Sequence, residues 1–198
     1  MTDLPFHRMI TESRWPKFMG WQHPKLQSCR VVIYSDANIP PRDRTLEQWE
    51  KIANVALKTP SGISQRSNTR VNVRRNMTIL EELEALVKDK KDIRRNVDAS
   101  KTWFVSQPDF NDNAFGYWNM ILVYDPHNAH FRELMTTFWA QYSVEDQSWR
   151  DQPLYRYIID KLKIIPSTNS SFSRYFHKRK SKDKRHRYST KDDANANR

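Results

Sequence analysis

Residues 117–142 read YWNMILVYDPHNAHFRELMTTFWAQY, and the change of pattern inside them decides the fold class. Tyr117 to Tyr124 is a run of aromatic, β-branched and long apolar side chains of strand length. Asn128 then stands where a helix N-cap belongs. Phe131, Leu134, Met135, Phe138 and Trp139 follow at i, i+3, i+4, i+7 and i+8, one face of a helix. A strand that passes straight into an amphipathic helix is the repeating unit of an α/β protein.

The same alternation continues on either side. Arg30 to Ser35 (RVVIYS) predicts a short buried strand, and the prolines of the following DANIPPRDR forbid an immediate helix. Thr45 and Gln48 form a capping box that opens a helix with Leu46, Trp49, Ile52, Ala53, Ala56 and Leu57 as its apolar stripe. Lys58 to Arg75 is polar, carries Pro60 and Gly62, and reads as a long loop. Thr78 with Glu81 opens a second helix, buried through Ile79, Leu80, Leu83, Leu86 and Val87. Thr102 to Ser106 (TWFVS) predicts another strand, separated from Tyr117 by the turn-rich QPDFNDNAFG. Ser148 with Asp151 reads as a capping box for a last helix carrying Leu154, Tyr155, Ile158, Ile159 and Leu162. Ile164 and Ile165, before Pro166, suggest a final strand. The expectation is an α/β sandwich without internal repeats.

Composition narrows the function. The chain has 198 residues, enough for one ordinary domain. Its 24 aromatic residues are too many for a disordered chain. Only three glycines are present, Gly20, Gly62 and Gly116, too few and too scattered for a P-loop or a dinucleotide fingerprint. The single cysteine, Cys29, excludes an intramolecular disulfide and a Cys-based zinc site. No apolar run is long enough for a transmembrane segment, and the N-terminal stretch has no signal-peptide core, so a cytoplasmic protein is expected. The formal charge of +11 is uneven: residues 174–198 hold ten Lys/Arg and three Asp. That divides the chain into a body, 1–173, and a basic, mobile tail, 174–198, able to attract phosphate or an anionic surface.

Two short constellations could carry chemistry. Asp36-Ala37-Asn38 follows the strand VVIY, at the end where open α/β sheets bind ligands. A carboxylate and an amide there could hold a divalent cation on a diphosphate, or simply make an Asx turn. Trp149-Arg150-Asp151-Gln152 opens the last helix, where free N–H groups keep a carboxylate ionised and fixed in place. Asp151 there is either a general base or only a cap, and Arg150 could meet phosphate or pair with Glu145 or Asp146. His127 and His130 lack a third ligand nearby and read as a surface pair. His177 follows the aromatics Phe172, Tyr175 and Phe176 and could fold back over a site. The aromatic residues fall on core stripes such as Trp49, Phe138 and Trp139, which speaks for packing over base stacking.

In order, these pieces resemble a glycosyltransferase-like family of plant cell-wall and mucilage-related proteins, which includes the rhamnosyltransferase domain at the front of a multidomain chlorella-virus protein. RWPKFMGWQHPKLQSCRVVIYSDANIPP is similar to the family's basic run, His-Pro-like turn and strand leading into its first acidic motif. VYDPHNAHFRELMTTFWAQYSVEDQSWRDQPLYRYIIDKL is similar to its HN…W…RDQ block. The resemblance spans roughly residues 14 to 165 and implies a GT-A-like, Rossmann-related mixed sheet flanked by helices. It also implies transfer of a sugar from a nucleotide-diphosphate donor to a glycan or protein-linked acceptor with Mn²⁺ or Mg²⁺. Arg14, Lys17, Asp36 and Asn38 would meet the donor, Asp36, Asn38 and His177 the metal. Asp151 would be the catalytic base, and Arg150 and Gln152 would orient substrate. Against the family pattern the N-terminus reads as shortened by a strand and helix, and the nearest basic segment, SQRSNTRVNVRRN, lacks the usual histidine. Two alternatives follow: a non-catalytic relative that binds glycan or protein, and a polyanion- or nucleic-acid-binding protein acting through its basic tail.

Overall fold

A computed structural model of the chain describes residues 9–67, 77–144, 146–168 and 175–176. Four strands, β1 (Val32–Ser35), β2 (Ile63–Ser67), β3 (Tyr117–Tyr124) and β4 (Ser167–Thr168), form one mixed sheet in the order β1-β3-β2-β4. β3 runs antiparallel to β1 and β2, with Tyr124 opposite Val32 on one side and Ile63 on the other. β4 lies parallel to β2. The carboxyl ends of β1, β2 and β4 therefore share one end of the sheet.

Helices cover both faces, and so β3 is apolar but for the buried Asn119. Leu122 and Tyr124 point into a large core built on α1 (Met9–Phe18), α4 (Ile79–Lys88), α5 (Arg94–Ser106), α6 (Ala129–Tyr142) and α7 (Asp151–Leu162). Ile121 and Val123 point the other way, onto Ile52 and Ala56 of α3 (Leu46–Leu57). A short α2 (Pro24–Gln27), capped by the His23 ring and started by Pro24, links α1 to β1. Among the described residues no helix is long and apolar enough to cross a membrane.

Both capping boxes are present, Thr45 with Gln48 and Thr78 with Glu81, and the Asn128 side chain accepts from Phe131 N–H at 3.0 Å. Strand β3 has the bounds its sequence predicts.

Four local expectations need correction. Thr102–Ser106 is the last part of α5, not a strand. The buried residues Asn96, Val97, Ser100 and Phe104 recur at helical spacing, but two of them are polar and hide the stripe. The expected loop over Lys58–Arg75 contains β2, whose polar residues Ser64 and Gln65 are fully buried in the sheet interior. Ser148 does not cap α7, because its hydroxyl donates to Asp92 at 2.6 Å and Arg150 occupies the N-cap. The final strand forms after Pro166, at Ser167–Thr168, while Ile164 goes into the core.

Tyr175 and Phe176 close the α3 face. Arg42 N–H donates to the Tyr175 carbonyl at 2.7 Å, and Phe176 meets Trp49 edge-on at 5.8 Å. The rest of the basic tail lies outside the described residues.

Gly62 makes the turn from α3 into β2 possible. Its φ is +66°, and a Cβ there would come within 2.4 Å of the Asn128 Cβ. Gly62→Ala should cost about 2 kcal/mol or more from the left-handed backbone and the clash together. Urea unfolding of the variant checks this.

Candidate functional site

The site is built where α1, the end of β1 and the start of α7 converge. Phe18, the last residue of α1, is fully buried against Phe138 (4.3 Å between ring centroids), Tyr155 (5.8 Å) and Tyr142 (6.3 Å). This aromatic clamp fixes the preceding residue, Lys17, which is only 2% exposed. The Lys17 ammonium donates to Asp151 Oδ2 at 2.9 Å and stands 3.7 Å from Asp36 Oδ1. One buried cation thus joins the two acidic motifs, which lie 115 positions apart in the chain.

Asp36 extends the line of β1, its N–H donating to the Met120 carbonyl at 2.9 Å. Tyr34, two residues earlier and so on the same face of the strand, donates its hydroxyl to Asp36 Oδ1 at 3.1 Å. Burial and the Asp36 carboxylate push the Tyr34 hydroxyl well above the usual tyrosine range. Asp151 opens α7, where unpaired N–H groups favour a negative side chain. Burial alone would raise its pKa, but the charges of Lys17 and Arg14 and the Lys17 hydrogen bond win, and it titrates below an ordinary aspartate.

Arg14 sits three residues before Lys17 on α1 and adds a second positive charge. Burial works against that charge, yet Asp151, Tyr142, Asp36 and Tyr34 around it hold its pKa above the ordinary value. Its Nε is buried without a hydrogen-bond partner among the described residues. The two cations and two carboxylates of the cluster cancel.

Four of the seven residues named for donor binding, catalysis or orientation therefore meet: Arg14, Lys17, Asp36 and Asp151. Asn38 does not join them. The chain turns between Asp36 and Ile39, with Ile39 N–H donating to the Asp36 carbonyl at 2.8 Å, and this leaves Asn38 exposed. A shared direction for Asp36 and Asn38 would need a continuing strand, and β1 ends at Ser35. Nor does the Asp36 side chain make an Asx turn, since its recorded partners are Tyr34 and Lys17. Gln152 donates its amide to the Tyr117 carbonyl and ties α7 to β3. Arg150 is half-buried at the N-cap, its N–H on Ser148 Oγ, while Asp146 pairs with Arg95. His177 and Glu145 lie outside the described residues. His127 and His130 are exposed, next to Arg132 and Glu133 respectively.

Three groups escape a sequence reading. Tyr34 was legible in principle, because residue i−2 of a strand shares a face with Asp36. The Gln65 network was not, since β2 looks like loop. Tyr155 Oη donates to Gln65 Oε1 at 2.9 Å, and the Gln65 amide reaches the Trp118 carbonyl and Asn119 Oδ1 at 3.4 Å. Third, Asp92 accepts from Ser148 Oγ at 2.6 Å and Trp149 N–H at 2.8 Å, while Ser148 N–H donates to Ser100 Oγ at 2.7 Å. That buried lattice fixes the approach to Asp151.

No protein-family model, curated protein or solved structure matches the chain.

Asp36 and Asn38, the two described residues expected to hold Mn²⁺ or Mg²⁺, do not fit such an ion as they stand. A hard divalent cation takes six or more oxygens at close range. Here the Asp36 oxygen faces an ammonium and a tyrosine hydroxyl donor, and Asn38 is exposed.

Proposed function

We propose that the chain is a nucleotide-sugar-dependent glycosyltransferase of GT-A-like architecture whose donor and acceptor meet at the Lys17 cluster. The observation that carries this reading is the convergence of Arg14, Lys17, Asp36 and Asp151. They come from three separate segments and meet at the end of the sheet where the parallel strands finish. α/β proteins bind ligands at that end.

In this reading Arg14 offers its unfilled guanidinium donor to the donor diphosphate, a match of planar fork to phosphate. Asp36 accepts hydrogen bonds from donor hydroxyls. Asp151 accepts the hydrogen of the acceptor hydroxyl. As the acceptor oxygen bonds to the anomeric carbon, the sugar–phosphate bond breaks and its electron pair leaves with the nucleoside diphosphate. The acceptor proton passes to Asp151, which can take it because an attacking oxygen becomes strongly acidic as its new bond forms. Arg14 carries the charge gained by the leaving diphosphate.

Release of nucleoside diphosphate from a panel of nucleotide sugars, with glycan acceptors, tests the proposal. Asp151→Asn, checked for folding, should lower the rate by about a hundredfold or more. Equal rates in variant and parent would contradict the assignment of the base.

One observation favours a second reading, a non-catalytic relative that binds glycan or protein. The Asp151 carboxylate is held ionised by Lys17 and Arg14 and so is a weak proton acceptor in the free protein. Donor turnover that disappears in Asp151→Asn would sink this reading.

A further inference from the structure

We propose that the site holds its phosphorylated donor without a divalent cation, because the Lys17 ammonium already stands between Asp36 and Asp151. This rests on the reading of the cluster as a nucleotide-sugar site and adds how that site manages charge.

The argument begins with where Lys17 is placed. An exposed lysine near two carboxylates would move aside for a metal ion at little cost. Lys17 cannot, because its side chain is 2% exposed and the next residue, Phe18, is wedged among Phe138, Tyr142 and Tyr155. Its ammonium also lies 5.2 Å from the Phe18 ring centroid and 5.9 Å from that of Tyr34, two aromatic faces that suit a cation. Moving it to solvent would leave Asp151 buried without its 2.9 Å ion-pair partner, and a buried charge that loses its partner is strongly unfavourable.

Charge balance points the same way. A metal site on a diphosphate-binding protein draws its ion by an excess of carboxylate. Here Asp36 and Asp151 are matched by Lys17 and Arg14, so no negative charge is left over to attract a doubly charged ion, and Lys17 would repel one placed on Asp36. A diphosphate meets a different situation. It has no ammonium to displace from the carboxylates, and it can meet an arginine whose buried Nε has no partner among the described residues. In this arrangement the lysine stands between the two carboxylates, which serve hydroxyl recognition, while Arg14 takes the phosphate.

The test is calorimetry and thermal denaturation of the wild-type protein with nucleoside-diphosphate sugars, in EDTA and in Mn²⁺. The expected result is binding of one donor class with the same affinity, within about twofold, in both conditions. Lys17→Met should convert the site. With the internal cation gone, the two carboxylates take up Mn²⁺, visible by electron paramagnetic resonance, and donor affinity becomes about tenfold or more stronger with the metal than without. If Lys17→Met does not fold, the wild-type comparison decides alone. Donor binding to wild type only in Mn²⁺ overturns the inference and leaves the glycosyltransferase reading standing. Binding of no donor in either condition overturns both.

Discussion

Lys17→Met should destabilise the protein by about 3–5 kcal/mol at neutral pH, the scale for breaking a buried ion pair from one side. The methionine fills most of the lysine's volume, so the loss is electrostatic. Asp151 is left at 8% exposure without its 2.9 Å partner, and Asp36 loses a nearby positive charge. The effect should shrink in acid, and the sign can be worked out. In the parent, Asp151 titrates lower when folded than when unfolded. It therefore contributes stability above its unfolded pKa of about 4, and that contribution disappears as pH falls through the folded value. In the variant, burial acts on Asp151 with one fewer cation to oppose it, its folded pKa rises, and protonation favours the folded state. The stability gap between parent and variant should narrow steadily below about pH 5. Urea unfolding of both proteins across that range checks it, and a gap independent of pH would mean that the pair contributes through packing alone.

Arg156→Met should cost a comparable amount, about 3–4 kcal/mol, for a different reason. Arg156 is 6% exposed in the middle of α7. Its Nε and Nη2 both donate to the Ala114 carbonyl, at 3.0 and 2.7 Å. Nη2 also reaches the Met77 carbonyl at 3.1 Å, and Nη1 binds Glu82 at 2.8 Å. One guanidinium thus ties α7 to α4 and to the loop before β3. Removing it leaves buried carbonyls without donors, which is more costly than the bonds themselves are worth. Arg156→Lys should recover less than half of the loss, because a single ammonium cannot reproduce the fork. Thermal unfolding of the two variants separates charge from geometry.

How much of this was legible depended on whether a segment's polarity agreed with its place in the fold. β3 and α6 announce themselves because their buried faces are almost wholly apolar, Asn119 being the exception, and the capping boxes at Thr45 and Thr78 are local chemistry that tertiary packing did not disturb. β2 is hidden because Ser64 and Gln65 are buried polar residues, supported by Tyr155 and by sheet pairing that no local pattern encodes. α5 is hidden because Asn96 and Ser100 occupy its core face. Helix α1 is hidden by Pro16 within it and by a stripe that buries a lysine. At the site, the acidic motifs were visible individually, and Arg14 and Lys17 came only with a resemblance. What no spacing could give is that Lys17 lies between Asp36 and Asp151, a relation created when α1 packs against α6 and α7. The turn that separates Asn38 from Asp36 was not visible either, because the sequence does not mark where β1 stops.

The central claim is that Arg14, Lys17, Asp36 and Asp151 form one site for a phosphorylated ligand. Arg14→Met tests it most directly, since Arg14 is half-buried, holds no recorded hydrogen bond through Nε, and is the group assigned to phosphate. Calorimetric titration of the wild-type protein and Arg14→Met with the same nucleoside-diphosphate sugar should show affinity falling by about tenfold or more in the variant, the loss of one charge-assisted contact. Equal affinity in the two proteins would contradict the account and move the ligand away from this cluster.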